Sequence, residues 1–295
     1  MKGILGTAVV CVKRTLDFAI KPQLDPGRKA MRTEGLKHSI NPFCEIAVEE
    51  AVRLKEQGLV QRIVAVSVGG PGAPQPQQDV LRHALAMGAD EAVLIQSPFK
   101  PDLHLQTLPT AKILRSFVKS RRGQLVLLGK QSTDGDNQQV PQLLAGLLGW
   151  PQATCLFKLE VSAVPDRLLE ALEGNERLPE EEKQRRLEKH RAKVLLATRE
   201  IDGGLQTVRL APPAVLSCDL RLNTPRFVTL PNLMKAKKKP IPVLDASKLV
   251  SESDLKPRLE ILRVEEPPRR APGRRVANVD ELIERLITEA KVIHS

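Results

Sequence analysis

Short apolar runs alternate with helical patterns from the N-terminus to about residue 160, and this alternation constrains the fold more than any other feature. The apolar runs are Thr7–Val12, Ile63–Val68, Ala92–Gln96 and Gln124–Leu128. Helical patterns occupy residues 43–57, 76–87, 106–121 and 137–148. Continuous apolar runs are typical of strands that are buried on both faces. The order therefore predicts an α/β fold with a doubly wound parallel sheet.

The remainder of the chain has a different character. Its predicted features are a charged insertion at 165–193, a β-hairpin at 199–210 with a Gly203-Gly204 turn, a strand at 214–220 and a terminal amphipathic helix near 279–291. After Pro225 the sequence is rich in proline and cationic residues. We therefore predict an α/β domain over residues 1–224 and an extended C-terminal arm over 225–295.

The charge balance narrows the possible partners. The formal net charge is +11, which attracts anionic partners over long range. The chain has no Tyr and only 2% aromatic residues, whereas single-stranded nucleic acids and RNA are usually bound on aromatic stacking platforms. We therefore expect proteins and nucleotide phosphates, and not nucleic acid, to be the anionic targets.

Cysteine spacing and hydropathy argue against several classes of protein and of site. Cys11, Cys44, Cys155 and Cys218 are widely separated, so neither a zinc site nor a disulfide framework is expected, and a reducing compartment fits best. No run approaches the roughly 20 apolar residues of a membrane-spanning helix. The N-terminus shows no secretory signal pattern, although an uncleaved import signal stays open.

Three loops follow predicted strand ends, where open α/β sheets bind their ligands. The first begins at Asn41, a predicted N-cap with Pro42 at the first helical position. The second is Gly69-Gly70-Pro71-Gly72, and the third runs from Gly129 to Gln139 into a helix. The third loop has the small residues, hydroxyls and amides of a phosphate cradle, but an ordinary surface loop fits equally well.

Catalytic signatures are missing from the sequence. There is no Gly-x-Ser-x-Gly elbow, Walker A loop or Gly-x-Gly-x-x-Gly fingerprint, and the five histidines are scattered. Asp134 and Asp136 lie beside glycine, which is more typical of a turn than of a metal site. The sequence indicates a binding site without a catalyst.

A basic segment follows residue 225 in the sequence. Leu230, Leu233 and Met234 have helical spacing and precede a run of lysines. An exposed element of this kind pairs an apolar anchor with a cationic rim, as docking surfaces do. A solvated linker and a nucleic-acid contact are the alternatives.

Long stretches of the chain resemble the β subunit of electron-transfer flavoproteins. They are Val12-Lys13-Arg14 and residues 37–51, 84–90, 127–131, 200–204, 219–223 and 225–239. The resemblance covers nearly the whole chain except 165–193, which has no family counterpart.

The resemblance implies an electron-carrier subunit and not an enzyme. It implies a heterodimer in which the α subunit holds most of the FAD and the β subunit holds a structural AMP. Electrons come from acyl-CoA dehydrogenases of fatty acid β-oxidation and from related flavoenzymes, and they pass to a membrane-bound ubiquinone oxidoreductase. The family type implies the mitochondrial matrix, with bacterial cytoplasm as the alternative, and a chain that is not itself embedded in the membrane.

The resemblance also assigns residues. The AMP site maps onto Cys11, Asn41, Pro42, Phe43, Cys44, Val68, Gly129, Lys130, Gln131, Ser132, Thr133, Asp134, Gly135, Asp136, Asn137, Gln138, Gln139 and Val140. Phe18 and Phe43 match aromatic residues near the flavin ring. The docking loop maps onto Leu230, Pro231, Asn232, Leu233, Met234, Lys235, Lys237, Lys238 and Lys239.

Four positions depart from the family pattern. Gln138 stands for the usual Asn, and Val140 for the usual Thr. Phe18 stands where Tyr is usual, and Val68 where a small residue or Cys is usual.

Without the resemblance, the same sheet would also suit an ATP-binding enzyme, hydrolysing or adenylating, that binds its nucleotide with the Gly129–Gln139 loop.

Overall fold

A computed structural model describes residues 5–27, 29–99, 105–162, 194–270 and 272–293. The predicted charged insertion at 165–193 lies outside the described residues.

A large mixed sheet forms the centre of the molecule. Its strands within the described residues are β1 (Leu5–Cys11), β4 (Val60–Gly69), β5 (Glu91–Gln96), β6 (Gly123–Gly129), β7 (Gln152–Ser162), β8 (Val194–Ile201), β9 (Gly204–Leu210), β10 (Ala214–Cys218) and β11 (Val243–Asp245). Their spatial order is β11-β5-β4-β1-β6-β10-β7-β8-β9. Pairing is parallel from β11 to β7 and antiparallel through β8 and β9. The predicted doubly wound α/β fold is confirmed.

Helices cover both faces of this sheet. They are α1 (Pro42–Glu56), α2 (Pro74–Met87), α3 (Thr107–Ser120), α4 (Val140–Leu148), α5 (Leu230–Lys238), α6 (Glu252–Leu255) and α7 (Val279–Thr288). The first four match the predicted helices within a few residues.

Alternate residues of each central strand feed two separate cores. In β1, Val10 belongs to the same core cluster as Ala47 of α1 on one face, whereas Val9 belongs to the same cluster as Phe117 of α3 on the other. All four side chains are fully buried. Because both faces are covered, the strands are continuously apolar, which is why they were recognisable from sequence.

Several boundaries differ from the predictions. The hairpin turn is Asp202-Gly203, and Gly204 already belongs to β9 with a φ of +129° that favours glycine. The strand predicted at 214–220 ends at Cys218, and the terminal helix ends at Thr288. The prediction missed β7 and a small antiparallel pair formed by β2 (Arg14–Leu16) and β3 (His38–Ile40).

The C-terminal arm begins as part of the fold. Strand β11 extends the sheet beside β5, and Leu255 of α6 is buried. By contrast, every residue of α7 is at least partly exposed. The described part of the arm therefore changes from packed to exposed along its length.

Gly129, the last residue of β6, provides a test of the packing. A Cβ there would lie 2.7 Å from Cβ of Phe43 and 2.9 Å from its carbonyl carbon. We expect Gly129→Ala to lower the free energy of unfolding by roughly 1–3 kcal/mol, the usual cost of overpacking. The matched control is Gly146→Ala in α4, where a Cβ meets open space. Helix propensity predicts that this control gains up to about 1 kcal/mol. Denaturant unfolding measures both, and equal effects would contradict the proposed close approach.

Candidate functional site

A cavity of about 400 Å³ opens at the carboxyl ends of β1, β4 and β6. Twelve residues of the predicted AMP site line it, and they come from four separate parts of the chain. They are Cys11, Asn41, Cys44, Val68, Gly129, Lys130, Gln131, Ser132, Asn137, Gln138, Gln139 and Val140. Parallel strands bring their ends to one edge of a sheet, which explains why residues distant in sequence meet there.

Six predicted residues do not line the cavity: Pro42, Phe43, Thr133, Asp134, Gly135 and Asp136. Phe43 packs against Gly129, and the centre of the Phe43 ring lies 5.6 Å from the ammonium nitrogen of Lys130. Asp134 instead forms an ion pair with Lys13, which does line the cavity. Phe43 and Asp134 thus contact residues of the wall without lining the cavity themselves.

Asn41 has a different role from the predicted one. It occupies the N-cap position of α1, but its side chain makes no capping hydrogen bond. Its amide nitrogen donates to the carbonyl of Gln131 at 2.8 Å and to Sγ of Cys44 at 3.2 Å, and its amide oxygen accepts from the N–H of Thr133 at 3.3 Å. Two of the three partners of this buried amide lie on the 129–139 loop, so it joins two strand-end loops instead of capping the helix.

The loop that ends at α4 is held in an unusual conformation. Asp136 and Gln138 have φ values of +49° and +52°. A positive φ is uncommon for residues other than glycine, and Asn tolerates it better than Gln. The Gln138 amide donates to Gln131, and the Gln131 amide donates to Asp136. Gln138, which stands for the Asn usual in the family, therefore has a left-handed backbone conformation, and its longer side chain reaches Gln131.

Two lysines bring positive charge to the cavity wall. Lys13 donates to Asp134 at 2.8 Å and to Ser132 at 3.2 Å, and Lys130 pairs with Asp219 at 2.7 Å. The first turn of α4 contributes Val140 and Pro141 to the same wall. Unpaired N–H groups at a helix start attract anions. The wall thus offers both side-chain cations and backbone dipoles to an anionic group.

The two cysteines of the wall are unreactive thiols. Burial raises the pKa of Cys11, and the neighbouring Cys44 adds to the shift. Burial also raises the pKa of Cys44. The thiolate is the nucleophilic form, so neither thiol is suited to attack a ligand at neutral pH.

Sequence reasoning missed one side of the cavity. It is formed by the start of α3 and by the C-terminal arm, with Leu105, Gln106, Thr107, Thr110, Leu114, Leu259 and Ile261. The helix pattern at 106–121 follows a strand, so its first residues could have been identified as a fourth strand-end segment. Nothing in the arm's sequence indicates that it returns to this edge.

The predicted docking loop is a helix, α5. Pro231 lies in its first turn, where the missing N–H group breaks no helical hydrogen bond. Leu230 is 72% exposed, and Met234 is also exposed. Leu233 instead packs against the core. The spacing of Leu230, Leu233 and Met234 therefore indicated a helix correctly, and Pro231 is compatible with that helix.

Both ends of α5 are anchored. At its C-terminal end, Arg82 of α2 donates to the carbonyls of Ala236 and Lys237, and the ammonium group of Lys239 donates to the carbonyls of Ala89 and Asp90. Lys239 therefore helps to hold the helix in place, although it is exposed like Lys235, Lys237 and Lys238. Sequence reasoning also missed Phe227, which is exposed just before the helix.

Upstream of α5, the chain is tied to α1. Arg226 donates to Glu49 at 2.8 Å and to Glu56 at 2.6 Å. The amide of Asn223 donates to Glu50 at 2.9 Å. Burial raises the pKa of Glu50, although the Asn223 hydrogen bond acts against this. These bonds fix the direction in which the chain enters α5.

The two aromatic residues assigned to the flavin differ in exposure. Phe18 is 78% exposed, whereas Phe43 is buried. Phe18 therefore offers a contact surface to another molecule, and Phe43 supports the end of β6.

Comparisons with known proteins bear on these observations. Residues 30–178 match the electron transfer flavoprotein domain family. The chain belongs to the electron transfer flavoprotein family. It is 44% identical over 279 residues to the electron transfer flavoprotein subunit beta of Bos taurus, which covers 95% of this chain and 96% of the relative. It is 43% identical over 285 residues to a subunit beta named mitochondrial from Oryza sativa subsp. indica, covering 97% and 99%.

These similarities support the role of an electron transfer flavoprotein β subunit. The predicted family membership is confirmed, and the names of the relatives bear out an electron-carrier subunit and not an enzyme. Among the residues that the structure describes, no helix is long and apolar enough to cross a membrane.

Asp219 leads to a prediction about pH. Burial alone raises its pKa, but hydrogen bonds from Lys130 and Arg221 outweigh burial and hold the pKa below its ordinary value of 3.8. The carboxylate therefore stabilises the fold above about pH 4, and this contribution is lost as the pH falls through the lowered pKa. We expect Asp219→Asn to lose about 1–3 kcal/mol of unfolding free energy at pH 7. The deficit should shrink below pH 3.8 in urea unfolding.

The control is Asp202→Asn in the exposed hairpin turn, which removes the same charge. A deficit of Asp219→Asn that is constant with pH, or that is matched by the control, would contradict the role of the Lys130 pair.

Proposed function

We propose that this chain is the β subunit of a heterodimeric electron transfer flavoprotein that binds a structural AMP in the cavity. Its α subunit partner holds most of the FAD. The heterodimer accepts electrons from acyl-CoA dehydrogenases and related flavoenzymes and passes them to a membrane ubiquinone oxidoreductase, in the mitochondrial matrix. The observation that carries the proposal is the convergence of twelve predicted AMP-site residues on one cavity.

The cavity suits a mononucleotide in size and chemistry. Its volume of about 400 Å³ lies in the lower part of the range of ligand pockets. Val66, Val68 and Leu128 give it an apolar wall that suits a base. The 129–139 loop and the first turn of α4 provide the N–H groups that suit a phosphate. Gln138 and Val140 line the cavity, so the departures from the family pattern do not remove these residues from the site.

A structural role for the nucleotide agrees with the state of the surrounding groups. The thiols of Cys11 and Cys44 are neutral, and Lys13 and Lys130 are engaged with carboxylates. Such groups hold a ligand but are not set up to transform it. This favours the carrier over the alternative of an ATP-hydrolysing or adenylating enzyme.

FAD would supply the electron-accepting chemistry of the heterodimer. The exposed ring of Phe18 is the feature of this chain best suited to contact a flavin held by a partner. The buried ring of Phe43 would act indirectly, by supporting the loop beside Lys130.

The docking function is proposed for α5. An exposed leucine on a helix anchored at both ends loses little entropy when it binds a partner, so it is a suitable interface anchor. Lys235, Lys237 and Lys238 follow it in the last turn of the same helix and would mainly accelerate association with an acidic partner.

The first test is the composition of the assembled protein. We expect the chain, co-expressed with its α subunit, to purify as a yellow heterodimer with one FAD and one AMP, measured by visible spectrum and by chromatography of the released nucleotides. A colourless chain that hydrolyses ATP would support the enzyme alternative, and a heterodimer with FAD but without AMP would overturn the assignment of the cavity.

The second test concerns Leu230. We expect Leu230→Ala to raise the KM of the heterodimer for electron transfer from an acyl-CoA dehydrogenase about tenfold, because a central apolar anchor is typically worth 1–2 kcal/mol or more. FAD and AMP content should not change. The matched control is Leu205→Ala, an exposed leucine on the edge strand β9. Equal kinetics for Leu230→Ala, the control and the wild type would remove α5 from docking.

A further inference from the structure

Residues 256–262 of the C-terminal arm, here called the strap, cross the mouth of the nucleotide cavity. Leu259 and Ile261 of the strap line the cavity. The strap starts directly after α6, whose Leu255 is buried in the core on the α3 side of the sheet. Asp254 also forms an ion pair with Lys112 of α3. The starting point of the strap is therefore fixed, and its course over the cavity depends on what holds residues 256–262.

One side chain, Gln106, holds the strap to the protein. Its amide oxygen accepts from the N–H groups of Arg258 at 2.9 Å and Leu259 at 3.3 Å, and its amide nitrogen donates to the carbonyl of Leu259 at 2.7 Å. Gln106 is the N-cap residue of α3, yet its side chain makes no capping bond. The amide thus supplies the partners that a neighbouring strand would give to an extended segment.

The other contacts of the strap are weaker. Glu260 pairs with Lys29 at 3.8 Å, but both side chains are exposed, and such pairs contribute little. Leu259 and Leu262 are 76% and 77% exposed and bury little apolar surface, whereas Ile261, which lines the cavity, is 41% exposed. Within the described residues, the three hydrogen bonds of Gln106 and the packing of Ile261 are therefore the main attachments of this segment.

The Gln106 side chain and its three hydrogen bonds to the strap, here called the clamp, are connected to the side of the cavity formed by the 129–139 loop. Thr110 donates its hydroxyl to the Gln106 carbonyl at 2.9 Å, and Thr107 donates to the side-chain oxygen of Gln139 at 2.8 Å. Gln139 is the residue immediately before α4. The start of α3 thus joins the strap to the loop on the opposite side of the cavity mouth.

We propose that the strap retains the nucleotide by closing the cavity and that Gln106 is the positioning residue that holds it closed. The proposal deepens the AMP assignment and rests on it for the identity of the ligand. The closure itself follows from the strap, the clamp and the cavity. Nucleotide release then requires the three Gln106 hydrogen bonds to break.

The experiment uses the heterodimer with Gln106→Met, which keeps the length of the side chain and removes its hydrogen bonds. The matched control is Gln57→Met, an exposed glutamine just after α1. The first readout is the rate at which AMP leaves during dialysis, measured by chromatography. We expect release to be about tenfold faster or more in Gln106→Met, as the loss of several hydrogen bonds predicts, and unchanged in the control.

The second readout does not depend on the identity of the nucleotide. After nucleotide removal, hydrogen–deuterium exchange of the backbone N–H groups of the strap and of the 129–139 loop in the cavity wall is measured by mass spectrometry. The N–H groups of β9, which does not line the cavity, are the internal reference. We expect exchange of both segments, relative to β9, to rise several-fold in Gln106→Met and to stay unchanged in Gln57→Met. If Gln106→Met does not assemble, the double variant Leu259→Ala, Ile261→Ala should show the same rise.

The outcomes separate the two proposals. Faster exchange in a heterodimer that carries no AMP as purified would support the strap and overturn the AMP assignment. Unchanged exchange, or unchanged release of an AMP that is present, would overturn the strap and leave the assignment standing.

Discussion

The close approach of the first turn of α1 to the end of β6 is the constraint on which the rest of the structure depends. Gly129 has no Cβ, and this allows Phe43 to lie against the strand end. Asn41, which is almost completely buried, then reaches Gln131 and Thr133 on the next loop. Because a buried amide without partners is costly, these bonds hold the two loops at a fixed separation. The cavity exists because helix and strand end meet without an intervening side chain.

Helix α1 also links the proposed cavity to the proposed docking helix. Its first turn lines the cavity, while Glu49, Glu50 and Glu56 further along bind Asn223 and Arg226. Carboxylates so little exposed as Glu49 and Glu50 are tolerated only when they are paired or hydrogen-bonded. The segment that leads into α5 therefore supplies partners that the buried carboxylates of α1 need, and α1 in turn fixes the position of that segment. One helix thus fixes the geometry of both sites, and a nucleotide that stabilises its N-terminus would stabilise the base of the docking helix.

The sequence predicted the elements that follow from a local residue pattern and the loops that meet because parallel strands end at one edge of the sheet. Continuous apolar runs such as Val64–Val66 identified strands buried on both faces. Two of the three predicted strand-end loops, those that begin at Asn41 and Gly129, line the cavity, whereas Gly69-Gly70-Pro71-Gly72 does not. Prediction from sequence failed where a residue is compatible with two local structures and tertiary contacts determine which of them forms. Asn41 suits both a helix cap and a loop ligand, and the nearby 129–139 loop selected the second. Pro231 is compatible with a first helical turn as well as with a loop, and packing of Ala236 and Leu233 selected the helix. The strap was beyond prediction, because Gln106 and Leu259 are distant in sequence and neither belongs to a periodic pattern.

The distribution of charge distinguishes the two proposed binding surfaces. The net charge of +11 suggests a cationic nucleotide site, yet the lysines of the cavity wall are matched by carboxylates, Lys13 by Asp134 and Lys130 by Asp219. What the wall adds beyond these pairs is the field of backbone dipoles at the start of α4, equivalent to roughly half a unit charge. Such a field suits one phosphate better than a chain of three, which favours AMP over ATP as the occupant. Exposed lysines also lie on α5, the helix that begins at Leu230, where long-range attraction to an acidic protein surface would accelerate encounter and the apolar anchor would determine how long the complex lasts.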